Sequence, residues 1–79
     1  MGTKKNPGKF DCYNKAEPDE PVFILLARDK AAPELVREWA MKRSFQINIG
    51  LKPASDREMV REALQCADAM EAWRRVNRR

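Results

Sequence analysis

The sequence contains no histidine, which removes the commonest general base near neutral pH. Cysteine is scarce as well, with Cys12 and Cys66 the only two. They cannot supply the four Cys or His ligands of a structural zinc site, and two cysteines so far apart do not make a disulfide framework. Cys66 reads as a small core residue and Cys12 as a strand residue, both reduced. The three glycines are scattered, so no phosphate-cradling loop is present. The longest apolar run, Val22 to Ala27, falls far short of the roughly 20 residues that a membrane span needs. No signal peptide is visible, and Asn6 stands where a myristoylation motif needs Ser or Thr. The expectation is a cytoplasmic protein with no membrane, metal or cofactor. No catalytic set emerges either. Asp19 and Glu20 lie in a proline-bounded turn where carboxylates are ordinarily solvated, and neither cysteine has a base beside it. The chain reads as non-enzymatic.

What is present suits one small domain. With 79 residues, 43% of them hydrophobic and 35% charged, the chain is foldable but its core is thin. Oligomerisation is a common remedy, and a homodimer is expected. The net charge is +4, and the excess is terminal. Lys4, Lys5 and Lys9 open the chain, and Arg74, Arg75, Arg78 and Arg79 close it.

Residues 1–8, polar and basic with an Asn-Pro-Gly turn, read as a disordered tail ahead of a single domain over 9–79. Partial alternation suggests a short strand over 9–14, and the apolar run after Pro21 a buried strand over 22–27. The second strand pairs either with the first, in a hairpin, or with its copy in another subunit. Asp29 and Pro33 place the start of a helix over 30–48, which Gly50 ends. Ser55 and Glu58 form a capping-box pattern for a second helix over 56–76. The short connection makes the helices antiparallel neighbours. The expected fold class is α+β: a short β-hairpin or single strand followed by an antiparallel helical hairpin, with an intersubunit sheet as a variant.

Winding the first helix at 100° per residue gathers Ala32, Leu35, Val36, Trp39, Ala40 and Ile47 into one core stripe. Met41, Phe45 and Ile49 fall on the opposite side. Either the helix is continuous and these three form a partner surface, or it ends near Arg43 and Phe45 to Leu51 folds back onto the core. The second helix carries Met59, Ala63, Cys66, Met70 and Trp73 at heptad spacing, widened by Val60, Leu64 and Ala67. That seam faces either the first helix or a partner.

At Asp11-Cys12-Tyr13, Pro18-Asp19-Glu20-Pro21-Val22-Phe23, Arg28-Asp29 and Ala63-Leu64-Gln65-Cys66-Ala67-Asp68-Ala69-Met70-Glu71-Ala72-Trp73, the chain resembles a group of small bacteriophage and prophage proteins. The likeness covers most of the chain after Lys9 and implies a context, in which such a protein binds and redirects a host protein in the host cytoplasm. It assigns no site residues. The expected function is protein–protein interaction through Met41, Phe45 and Ile49, with Trp73 at the edge of the second helix. The alternative is a nucleic-acid binder that sets Arg74, Arg75, Arg78 and Arg79 on phosphates beside Trp73. A second alternative is a binder of a small anionic nucleotide.

Overall fold

Pro33, tolerated only in a first helical turn, lies at the start of the first of two antiparallel helices. The computed structural model describes residues 1–77. Helix α1 spans Ala32–Asn48 and helix α2 spans Arg57–Val76, with short 3₁₀ turns at Tyr13–Lys15 and Ala54–Asp56. Helix α1 starts two residues later than expected. The Asp29 carboxylate accepts the Ala31 N–H at 2.9 Å and closes a local turn first. Its end is set by Gly50, whose φ of 84° is left-handed. There the Gly50 N–H donates to the Ile47 carbonyl (3.1 Å) and the Leu51 N–H to the Gln46 carbonyl (2.8 Å). This is a Schellman stop, and it satisfies carbonyls that a helix end otherwise leaves open.

The capping box expected at the start of α2 does not form. Ser55 lies inside the 3₁₀ turn, and no side chain caps the helix. Glu58 instead faces Lys9 at 3.4 Å, and Asp56 pairs with Arg43 at 3.0 Å. Asp56 still places an acid at the positive end of the helix dipole.

The β-element is a correction. Among the described residues there is no strand, so the chain is an all-helical hairpin and not an α+β fold. Local hydrogen bonds divert the segment over 9–14. The Asp11 carboxylate accepts the Gly8 N–H, and the Lys15 N–H closes onto the Cys12 carbonyl at 3.0 Å. Side chains that bond nearby backbone in this way compete directly with a ladder. Cys12 is thereby the exposed residue preceding the Tyr13–Lys15 turn, and not part of a strand. Val22 to Leu26, deprived of that partner, runs as an irregular, largely exposed apolar segment before the turn at Leu26–Asp29.

The two helices meet over small side chains. Ala32 and Ala40 of α1 and Ala63 and Ala67 of α2 are at most 1% exposed, with Ile47 at 7%. This is the intramolecular seam, and its alanines let two helix backbones approach closely. Among the described residues no large side chain is fully buried. The whole chain, with its irregular and largely exposed residues before α1, is correspondingly extended. The radius of gyration is 13.4 Å, against about 11.6 Å for a compact domain of this length. The accessible surface is 6567 Å², against about 4,900 Å² for a compact chain of this mass.

A seam this tight has no room for a longer side chain. Ala63→Leu should destabilise the hairpin by about 1–3 kcal/mol in urea unfolding. Ala69→Leu, on the outer side of α2, should stay within about 0.5 kcal/mol.

Candidate functional site

The helical periodicity that sets the alanine seam fixes what points the other way. With Ala40 at the seam, Met41, Phe45 and Ile49 lie within an arc of about 80° on the far side of α1. Helix α1 is continuous to Asn48, and Ile49 is its C-cap. Met41 is 70% exposed, Phe45 61% and Ile49 54%. Leu51, just past the Schellman stop, is exposed as well and extends the apolar surface beyond Ile49. Leu35 and Trp39, expected in the core, are partly exposed on the flank, while Val36 is half-buried. The alanine seam is too close-packed to admit the larger pair.

Charge surrounds this apolar face in an ordered way. Glu34 and Glu38 precede it on the same side of α1, and Lys42 and Lys52 accompany and follow it. All four are exposed, and none takes part in an ion pair among the described residues.

Two ionic contacts hold α1 in its rotation. Arg37 reaches across to α2, donating to Glu71 at 2.7 and 3.1 Å and to Asp68 at 2.8 Å. The guanidinium meets the Glu71 carboxylate in a fork-to-fork arrangement, the strongest form of such a pair. It holds the Glu71 carboxyl below its ordinary value, and the Arg37 pKa rises in turn. Arg43 lies 4.9 Å over the Trp39 ring and 3.0 Å from Asp56, tying α1 to the turn before α2. Sequence reasoning missed both contacts. Asp68 and Glu71 stand three apart on one side of α2, but their partner is visible only once the register of the two helices is known.

The other proposed residues are dispersed. Trp73 is 40% exposed on α2. The Arg37–Glu71 contact puts it level with the first turns of α1, roughly 15 Å along the axis from Phe45. The structure therefore does not bring Trp73 together with Met41, Phe45 and Ile49. Arg74 is half-buried and Arg75 exposed near the end of α2, while Arg78 and Arg79 lie outside the described residues. Lys9 sits beside Glu58, roughly 24 Å along α2 from Arg74. Arg57, Arg61 and Arg75 share one side of α2, but Asp68 and Glu71 interrupt that row.

Cys66 is half-buried, and burial pushes its thiol pKa up, away from a reactive thiolate. A shallow cleft between the helices is lined by Ser44, Ile47, Arg57, Val60, Arg61 and Leu64. Its cavity volume of about 180 Å³ falls below the roughly 300–1,000 Å³ usual for small-molecule sites. Among the described residues no helix is long and apolar enough to cross a membrane, and no cluster of three or more Cys, Asp or Glu is placed to hold a metal. Comparisons of the chain with protein-family models, with curated proteins and with solved structures give no match.

The Arg37 contact has a pH signature. Glu71 has a folded-state pKa below the unfolded value of 4.5, so its contribution is fully present above that value and is lost as pH falls through the folded one. The melting temperature should therefore drop on acidification below about pH 4.5. The drop should be shallower in Glu71→Gln, as read by circular dichroism over a pH series.

Proposed function

We propose that this chain is a protein-binding module that acts through the outer face of α1. One observation carries the reading: Met41, Phe45 and Ile49 stand exposed on a continuous helix, directly opposite the seam that closes the hairpin. Three aligned apolar side chains of this size on a chain this small cost solubility unless a partner covers them. Helix-in-groove recognition uses apolar anchors at this spacing. The surrounding Glu34, Glu38, Lys42 and Lys52 form a charged rim, which favours orientation over raw affinity. Asp68 and Glu71 separate Arg57 and Arg61 from Arg75 along α2, so the described residues of that side form no continuous basic row to match the apolar face.

The module is non-catalytic in this reading. The side chains at the face are apolar or fully charged, and none is a nucleophile with a base beside it.

The test places a photo-crosslinking residue at Met41 and, separately, at Gln65 on the outer side of α2. Adducts to protein should arise from position 41 and not from 65. Phe45→Asp in the same chain should abolish them while leaving the helical circular dichroism signal intact, since an exposed position tolerates the change within about 0.5 kcal/mol. Equal adducts from both positions, or adducts indifferent to Phe45→Asp, would remove the reading.

A further inference from the structure

We infer that the molecule seated on the outer face of α1 is a second copy of this chain, bound antiparallel about a two-fold axis at Phe45. This rests on the protein-binding reading above and names its partner.

The first support is area. The chain exposes roughly 1,600 Å² more surface than a compact protein of its mass. A standard protein–protein interface takes about 800 Å² from each partner. The surplus belongs to the whole chain, Val22 to Leu26 included, and the exposed Met41, Phe45, Ile49 and Leu51 are the part of it that lies along and just past α1.

The second support is the polarity of the face. Along one side of α1 run Glu34, Glu38, Met41, Phe45 and the cap Ile49, two acids and then three apolar residues, and the exposed Lys52 follows past the Schellman stop at the same end as Ile49. A two-fold interface must be complementary to itself, with each residue i meeting a residue j that also meets i. An antiparallel axis at Phe45 satisfies this along the apolar stretch. Phe45 meets its own copy, Met41 meets Ile49, and the acidic end that carries Glu38 comes beside the end that carries Lys52 twice over. Glu34 adds acid at the same end as Glu38, and Lys42 comes level with the neutral Asn48. A parallel pairing would set Glu38 beside Glu38 and Lys52 beside Lys52, which like-charge repulsion disfavours. None of these charges is committed to an ion pair within the hairpin, among the described residues.

The structure also explains why the axis is at Phe45. The Schellman stop at Gly50 turns the chain away one residue past Ile49, leaving Leu51 and Lys52 at the edge of the contact. Towards the N-terminus, Glu34 and Glu38 end the apolar stretch. Phe45 is the midpoint of what remains between Met41 and Ile49.

Sedimentation equilibrium of the full chain in low salt, from micromolar to near-millimolar concentration, tests the inference. The wild-type chain should dimerise, and Phe45→Asp should be monomeric throughout. Glu38→Lys and Lys52→Glu should each weaken the dimer about three- to tenfold, since each change alters two symmetric rim pairs. The double variant, Glu38→Lys with Lys52→Glu, should return to within about twofold of wild type, a rescue that a merely structural defect cannot give. A dimer that survives Phe45→Asp, or a double variant weaker than either single, overturns the inference. A chain that stays monomeric while position 41 still crosslinks to another protein overturns it too, and leaves the docking face standing. A monomer with no adduct at position 41 removes both.

Discussion

The hairpin depends on a buried seam in which α1 contributes Ala32 and Ala40 and α2 contributes Ala63 and Ala67. Alanine is the best helix former and adds almost no bulk, so these residues serve two ends at once. They favour each helix alone and let the helices lie close together. The exchange is poor in hydrophobic free energy, because a buried methyl excludes far less water than a buried leucine. A domain of this size has little stability to spare. The seam is therefore precise but thin, and ionic contacts at its sides carry more of the geometry than they would in a larger protein.

Arg37 is the main such contact. Its pairing with Glu71 and Asp68 is too solvent-exposed to be a large source of stability. Its value is angular. A helix packed on a neighbour's methyl groups can roll or slide with little penalty, since alanines offer few interdigitating features. A forked guanidinium fixed on an opposing carboxylate removes that freedom. Because Arg37 is fixed, Met41, Phe45 and Ile49 are fixed too, since they follow it at four-residue steps on the same rigid rod. Arg43, held between the Trp39 ring and Asp56, does the same for the lower half of α1. The aim of the apolar face thus follows from charged residues that do not touch it.

Much of the hairpin was legible in the residues. Pro33, Gly50 and Pro53 act through the backbone itself and depend on little else, so both helices and the turn between them could be placed closely. The separation of Ala40 from Met41, Phe45 and Ile49 followed from periodicity alone. The failures have two physical causes. Val22 to Leu26 has a strand's composition, but a strand exists only with a partner, and Asp11 diverted the nearest one into turns. Ser55 and Glu58 have the spacing of a capping box, but Lys9 and the Ala54–Asp56 turn changed their surroundings. Leu35 and Trp39 belong to the inward arc by angle, yet the close approach over alanine pushes them to the flank. Some outcomes turned on local hydrogen bonds that compete with the regular element, as at Asp11 and in the Ala54–Asp56 turn, and others on contacts between residues distant in the chain, which single-segment patterns do not carry. Trp73 failed for the second reason, since its height along the hairpin follows from the helix register.

Gly50 and Pro53 have a consequence for how the chain can associate. Helical hairpins with short connections can open like a hinge, each helix then completing its pair with a neighbour's, so that two molecules exchange arms. Straightening the connection here would carry a proline through the interior of a continuous helix, at roughly 3 kcal/mol, and would forfeit the glycine's left-handed turn. Two adjacent obstacles thus guard against arm exchange. The inner seam is reserved for the chain that made it, and any assembly this protein enters must be built on its outside.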